Sequence, residues 1–542
     1  MCGILCIVQY GGHSIDVLQA LNCLSKLSPR GPDCLSHKII KVSPDVEIFL
    51  GFTRLAIMDT STAGIQPFSD DKNTHMICNG EIYNYKSLSQ QFDIKMQTEC
   101  DCEIILPLYE KVGFKDMIKN HLDAEFATII VDENRKQLFA ARDKFGVRPL
   151  YYGYNDNFNT IAFSSELKAI QNLNLSDIQQ LEPNNYVTLN LGSNTQYLNF
   201  EKYYSYNKLN FNSDCFDSSN VEIIKSKVNH LLTQAVKKRL YADRSIGFLL
   251  SGGLDSSLIV AIATQLLGPD NIVCFSVGFE GSPDVEAAKQ VVKYLGIKNH
   301  HIVPFSVELG ISSIPEVIKT IETYDITTIR ASTPQYIMAK YIKENTDIKV
   351  LLSGEGSDEI HGSYKYFRSA PNPQEFHDET IRLLQELYFF DNKRTDRTMA
   401  GNGLEVRVPF LDKDYVEYIC KINPCLLMYQ PDYIEKRIIR DAFIGYLPDE
   451  ILYRPKEAFS DAVSSKDINW YKSIQAKADI KYTNEDLLQS KYIINKPQIK
   501  EALYYRDIFD EFYPERSTII PHYWLPQWQE NIVDPSATVL TN

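Results

Sequence analysis

Ser245-Ile246-Gly247-Phe248-Leu249-Leu250-Ser251-Gly252-Gly253-Leu254-Asp255-Ser256-Ser257 decides how the second half of the chain is read. An apolar run, a predicted strand over 245–250, ends in a Ser/Gly loop. A helical pattern, predicted over 257–267, begins directly behind it. Glycine keeps side chains out of the way, so backbone N–H groups can approach an anion. A helix N-terminus adds further donors and a favourable dipole. No lysine closes the loop, so it is not the nucleotide loop that ends in Gly-Lys-Ser/Thr. A second loop of the same logic, Ser353-Gly354-Glu355-Gly356-Ser357-Asp358-Glu359, follows another apolar run. Two such loops at the C-terminal ends of parallel strands face one crevice of an open sheet. Asp255 and Asp358 could be ordinary helix N-terminal charges, worth under ~1 kcal/mol when exposed. Their doubling inside anion-binding loops favours magnesium ligands bridging phosphate oxygens.

Outward from this stretch, strand and helix alternate. A helix is predicted over 221–240, then the strand and loop above, a strand over 271–277, a helix over 285–295, a short strand over 300–303, a helix over 334–344 and a strand over 349–353. Alternation of this kind marks a parallel α/β sheet with helices on both faces. The remainder, 381–513, reads as mostly helical, and the chain after Pro521 as irregular. Upstream the rhythm differs. Strands are predicted over 4–8, 48–52, 75–78, 126–131, 137–141, 150–153 and 160–164, with helices only over 17–27 and 102–111. Strands arriving in groups point to antiparallel sheets with helices beside them, an α+β layered sandwich. The polar stretch 207–220 is the predicted linker. The predicted boundaries are therefore 2–206, 207–220, 221–520 and an irregular tail, 521–542. There is no internal repeat.

The chain has 542 residues, 44% hydrophobic and 23% charged, ordinary for a globular protein. Its formal net charge of −14 argues against general nucleic-acid binding, where a basic patch is expected. No apolar run reads as a membrane helix; the longest candidate, 246–266, carries Asp255 and several Gly and Ser residues. No basic region followed by an apolar stretch opens the chain, so a cytoplasmic address is expected. The 11 cysteines, odd in number and scattered, read as free thiols. Cys100-Asp101-Cys102 invites a metal reading, but no second ligand pair follows at a recognisable spacing.

At the other end stands Met1-Cys2-Gly3. If Met1 is removed, Cys2 carries a thiol and a free α-amine on one residue, a nucleophile with its own general base. The plainer reading is a small buried cysteine on a first strand. A thiolate attacking an amide also needs a home for the oxyanion. Asn79-Gly80 offers a side-chain amide and a backbone N–H, although Asn-Gly is more commonly a hairpin turn. An amino-acid substrate needs a cation for its carboxylate and an anion for its amine. Arg54 can clamp a carboxylate, and Asp101 can bind an ammonium group.

Taken in order, Cys2-Gly3-Ile4, Ser28-Pro29-Arg30-Gly31-Pro32-Asp33, Arg54-Leu55-Ala56-Ile57, Asn79-Gly80-Glu81-Ile82-Tyr83-Asn84, Asp101-Cys102-Glu103 and 142–150 resemble the N-terminal-nucleophile glutamine amidotransferase domain. The resemblance implies that Cys2 hydrolyses glutamine through a γ-glutamyl thioester and releases ammonia. It implies an oxyanion hole from Asn79 and Gly80. Arg54, Glu81 and Asp101 would hold the glutamine α-groups, with the backbone of Leu55, Ala56, Ile57 and Met58 lining the pocket.

The Ser251 loop resembles the pyrophosphate loop of enzymes that split ATP between its α and β phosphates. Both domains together, over roughly 1–465, resemble the glutamine-hydrolysing asparagine synthetase family. The carrying motifs include Thr327-Thr328-Ile329-Arg330-Ala331-Ser332-Thr333-Pro334, the Ser353 loop, 403–412 and 454–461. The resemblance implies ATP contacts from Leu249, Ser251, Gly252, Gly253, Asp255, Ser256, Val277, Arg330, Ser353, Gly354 and Lys456, with Ser251, Asp255, Arg330 and Lys456 at the phosphates. It implies Mg²⁺ at Asp255 and Asp358, and Glu355 as the base near a β-aspartyl-AMP. Glutamine, aspartate and ATP would be the partners, with a homodimer as the family-level assembly and a water-poor path for ammonia. Two departures stand out. His361-Gly362-Ser363-Tyr364 replaces a Gly-Gly-Tyr pattern, so Ser363 would be strained if its backbone needs a positive φ. Gly401-Asn402-Gly403 loosens a predicted helix end. A different acceptor carboxylate, an intramolecular amine as in β-lactam-forming relatives, and a non-catalytic sensor remain as alternatives. Intact Cys2, Asn79, Asp255 and Glu355 weigh against the last.

Overall fold

The computed structural model describes the chain except residues 158, 193–196, 212–219, 431–433, 457–463, 465–467, 530–531 and 537–542, and the side chains of Asn207 and Lys208. Most of the predicted linker and residues 457–461 of the 454–461 motif thus lie outside the described residues. The chain divides into two compact units. One comprises Met1–Ser205 with Ala242–Arg244 and Met399–Glu405; the other comprises Tyr206–Tyr241, Ser245–Thr398 and Val406–Asn542.

The first unit is a two-sheet sandwich. One sheet runs, in order, Asp177–Gln180, Tyr151–Tyr154, Thr160–Ser164, Gly3–Tyr10, Val46–Arg54 and Cys34–Ser43. The other runs Asn199–Lys202, Asn185–Asn190, Gln137–Arg142, Ala124–Asp132, Thr74–Ile82 and Phe68–Ser69. The pairs Gly3–Tyr10 with Val46–Arg54 and Thr74–Ile82 with Ala124–Asp132 are antiparallel. Alternate residues of each strand point to one face. Ile4, Cys6 and Val8 of the first sheet therefore share one buried cluster with Ile77, Ala127 and Ile129 of the second. This is the expected α+β layered sandwich. The edge strand Cys34–Ser43, mostly exposed or half-buried, was not legible as a strand because Ser36-His37-Lys38 and the adjacent Ile39-Ile40 break the period-two alternation of apolar and polar residues.

The second unit is built on a sheet ordered Asn299–Pro304, Val273–Gly278, Ile246–Leu249, Val350–Leu352 and Glu405–Arg407. The first four are parallel, as the alternation predicts. Two helices depart from expectation. Val307–Ile321 was not anticipated, and the helix expected to start at Pro334 spans Ile326–Asn345 with Pro334 inside it. Proline lacks the N–H that would reach back to the carbonyl four residues earlier. That carbonyl, on Arg330, accepts instead from Trp470 Nε1 at 2.9 Å. The tail expected to be irregular has no helix or strand among its described residues, yet Trp524 packs in an aromatic cluster with Tyr366 and Phe376.

Candidate active sites

Cys2 leads directly into the central strand Gly3–Tyr10. Its Sγ lies 3.7 Å from the Leu55 carbonyl. Arg30 Nε donates to the Cys2 carbonyl at 2.9 Å, and Arg30 Nη1 is paired with Glu166 at 2.8 Å. Burial pushes the Cys2 thiol up to about 11, opposed by the neighbouring N-terminal ammonium. Burial lowers the Met1 amine to about 6. With Met1 in place the thiol is therefore protonated at neutral pH.

Asn79 and Gly80 are not a hairpin turn. They sit inside the strand Thr74–Ile82, paired with Ala127 and Phe126. Asn79 is 1% exposed, and among the described residues neither its amide nitrogen nor its amide oxygen has a hydrogen-bond partner. A buried amide left this way is costly unless a ligand completes it. Gly80 is required by packing: a Cβ there would lie 2.4 Å from the Glu125 carbonyl. Glu81 is buried two residues beyond Asn79, on the same strand face. Asp101 is also buried, and its Oδ2 accepts from Ile82 N at 2.6 Å.

The segment Leu55–Met58 is buried and pinned from several directions. Asp33 Oδ2 accepts from Ala56 N at 2.8 Å, and Arg244 Nε donates to the Ala56 carbonyl at 2.9 Å. Asp59 N donates to Asp243 Oδ2 at 2.9 Å. Arg54, expected to clamp a carboxylate, directs its guanidinium to the carbonyls of Met58, Asp59 and Ser61. It holds the segment that follows it in shape. The contribution of 242–244 could not be seen in sequence, since nothing local ties it to residues 56–59.

In the second unit the two Ser/Gly loops lie against each other. A Cβ on Gly354 would fall 2.7 Å from Ser256 N, and one on Gly252, whose φ is +79°, would fall 2.5 Å from Ala288 N. Ser251 N donates to Ser256 Oγ at 3.1 Å, closing the first loop over the start of the helix Leu254–Leu267. Leu249, Ser251, Gly253, Asp255, Ser256, Val277, Ser353, Gly354, Glu355, Asp358 and Lys456, all singled out in sequence, line one cavity. Gly252 shapes the turn from behind.

Two lysines and two aspartates meet in this cavity. Lys436 Nζ is 2.7 Å from both Asp255 oxygens and 2.6 Å from Asp358 Oδ1. Lys456 Nζ is 2.6 Å from Asp358 Oδ2 and 3.8 Å from Asp255. Although burial opposes it, the two lysines hold the Asp358 carboxyl well below the usual carboxylate range. Burial lifts Glu355 above its ordinary range. Arg394 opposes that rise, gripping Glu355 with two bonds of 3.0 and 2.8 Å, while Asp391 and Asp358 reinforce it.

The sequence reading is revised here at Arg330, extended at Lys436 and Arg394, and decided at Ser363. Arg330 does not line the cavity. Its guanidinium, 1% exposed, is paired with Glu501 at 2.6 Å and Asp534 at 2.9 Å, so its charge is neutralised elsewhere. Lys436 and Arg394 were missed, because neither lies in a glycine-rich loop and only the fold brings them to Asp255 and Glu355. Ser363 is not strained: the positive φ of +57° falls on Gly362, and Ser363 Oγ donates to Asp358 Oδ1 at 2.5 Å. His361 is a structural residue, its Nδ1 2.8 Å from the Ser357 carbonyl and its Nε2 3.1 Å from the Tyr415 hydroxyl.

Residues 1–205 match the family described as a glutamine amidotransferase domain, and residues 227–375 and 369–539 match the one described as asparagine synthase. Fold and sites thus define a glutamine-dependent amidotransferase joined to an ATP-using synthetase unit. Over 554 residues the chain is 65% identical to a probable glutamine-hydrolysing asparagine synthetase of Acanthamoeba polyphaga mimivirus, covering 100% of both chains. It is 40% identical over 565 residues to the glutamine-hydrolysing asparagine synthetase of Gallus gallus, covering 100% of this chain and 98% of that one. The chain belongs to the asparagine synthase family. Among the described residues no helix is long and apolar enough to cross a membrane.

Proposed function

We propose that the chain makes L-asparagine from L-aspartate and ATP, taking nitrogen from L-glutamine and releasing glutamate, AMP and pyrophosphate. The observation that carries this reading is that one chain holds both a candidate glutaminase site and a candidate ATP cavity, in a family whose relatives match it over their full length.

In the first unit, removal of Met1 leaves the amine on Cys2 itself, free to take the thiol proton. The thiolate attacks the glutamine side-chain carbonyl carbon, and the unpartnered Asn79 amide with the Gly80 N–H receives the oxyanion. Ammonia leaves and water hydrolyses the thioester. Glu81 and Asp101 answer the substrate's ammonium group. Arg54 keeps the Leu55–Met58 backbone in place to receive its other end.

In the second unit, an aspartate carboxylate oxygen attacks the α-phosphorus, and the bond to the bridging oxygen of pyrophosphate breaks. Ser251, the loop N–H groups, Lys436 and Lys456 neutralise the phosphates. Asp255 and Asp358 converge on one cation position, that of the Lys436 ammonium, so this donor pair suits a cation. Mg²⁺ carried on ATP would be held by Asp255 and Asp358 and would neutralise charge on the departing pyrophosphate. Ammonia then attacks the β-carbonyl of the aspartyl-adenylate, AMP leaves, and Glu355 takes the proton. Its raised carboxyl suits a group that must accept a proton near neutral pH.

A net charge of −14 supports small-molecule partners over nucleic acid. A homodimer in the cytoplasm completes the reading. Incubation with ATP, Mg²⁺, aspartate and amide-labelled glutamine, followed by mass analysis, tests it. Label in asparagine is expected; label left in free ammonia with no asparagine would sink it.

A further inference from the structure

We propose that Cys100, Asp101 and Cys102, with Cys78 beside them, form a site for a thiophilic divalent cation of the Zn²⁺ type, and that filling it shuts the glutamine pocket. Residue spacing argued against a metal here, because no second ligand pair follows in sequence. The fold gathers three donors all the same, with a further thiol nearby. The Sγ atoms of Cys100 and Cys102 and a carboxylate oxygen of Asp101 lie within 4.8 Å of one another, all three residues being buried. The Cys78 thiol, from the strand Thr74–Ile82, is near enough to influence the Cys102 thiol.

The donor set is specific in chemistry. Thiolate sulfur selects Zn²⁺ or Cd²⁺ over Mg²⁺ or Ca²⁺, and zinc binds sulfur at about 2.3 Å and carboxylate oxygen at about 2.0–2.2 Å. Neighbours orient the donors, as outer partners of metal ligands do. Ile82 N donates to Asp101 Oδ2 at 2.6 Å, and Cys102 Sγ lies 3.5 Å from the Gly80 carbonyl. Binding forms sulfur–metal bonds at Cys100 and Cys102, and the displaced thiol protons pass to solvent.

The consequence rests on the proposed role of Asp101 toward the glutamine ammonium group, since a carboxylate engaged by a dication cannot also answer the substrate.

The test titrates the full-length chain with Cd²⁺, reading the thiolate-to-cadmium ultraviolet band, and separately with Zn²⁺, reading glutamine hydrolysis and ammonia-dependent synthesis. Expected is a band saturating at one equivalent, retained in Cys2→Ala and lost in the Cys100→Ser/Cys102→Ser double variant. Cys100→Ser alone, a small-for-small change, should weaken binding by at least ~10-fold, the lower end seen even for outer-shell partners. Zn²⁺ should stop glutamine hydrolysis in the parent, spare ammonia-dependent synthesis, and act at least ~10-fold more weakly on the double variant. A band that survives in the double variant, or that vanishes in Cys2→Ala, overturns the site. A band confined to Cys100 and Cys102 with glutamine hydrolysis untouched overturns the coupling to Asp101 and leaves the cation site standing.

Discussion

Lys436 Nζ lies 2.7 Å from each carboxylate oxygen of Asp255, a residue 181 positions away in the chain. The same ammonium reaches Asp358, so one cation bridges both Ser/Gly loops. Removing one partner of a buried charge group leaves the others uncompensated. Lys436→Met should therefore lower ammonia-dependent asparagine synthesis on the order of 100-fold or more, the range for losing one preorganised charge-stabilising group. Glutamine hydrolysis, located in the other unit, should persist. A variant that synthesises asparagine at the parental rate would remove Lys436 from the site.

Asn79 offers a cleaner separation of function from stability. Its amide makes no hydrogen bond among the described residues, so Asn79→Ala deletes a buried polar group without breaking a bond seen there. Glutaminase kcat should fall by about 10²–10³-fold, as for the loss of one oxyanion donor, while the thermal midpoint stays put or rises. A large drop in the midpoint with unchanged kcat would show Asn79 to be structural.

Gly354→Ala places a Cβ 2.7 Å from the Ser256 backbone nitrogen. Backbone cannot swing aside as a side-chain tip can, so the two loops must separate. Overpacking of this kind costs about 1–3 kcal/mol. KM for ATP should rise while glutamine hydrolysis is preserved; unchanged ATP kinetics would count against the close packing of the loops.

Burial lowers His361 to about 4 from 6.5. Between those values the unfolded chain binds the proton and the folded one does not, so stability falls as pH drops below about 6.5. Between pH 7.5 and 5.5 this amounts to roughly 1 kcal/mol. The difference in denaturant midpoint between the two pH values should shrink in His361→Phe. His300, also lowered to about 4 by burial, contributes equally to both proteins. Identical pH dependence in parent and variant would refute the assignment.

Cys2→Ala should abolish glutamine-dependent synthesis and leave ammonia-dependent synthesis intact. Intact-mass measurement of the active enzyme should show Met1 gone, because the thiol beside a retained Met1 is held near 11. Glutamine turnover by protein that still carries Met1 would contradict the mechanism.

The Ser251 and Ser353 loops were readable because their signal is local: an apolar strand, small residues and a following helix stand side by side in sequence. The layered character of the first unit was readable for a similar reason, from strands arriving in groups and not in alternation with helices. The role of Asn79-Gly80 was ambiguous, since the dipeptide alone favours a turn. Only its pairing with Ala127 and Phe126 places it in mid-strand. Pro334 looked like a helix start because its effect on the preceding turn is visible locally, while the Trp470 donor that lets the helix run through it is not.

By itself, the order of residues determined the division into an antiparallel and a parallel half, the two Ser/Gly loops after apolar strands, and the thiol at the chain's start. Each depends on neighbours within a few positions. Tertiary structure alone decided where the charges go: Arg330 to Glu501 and Asp534, Lys436 to Asp255 and Asp358, Arg394 to Glu355. Charged side chains carry no periodicity that names a partner, and their pairing is settled only when folding excludes water from between them.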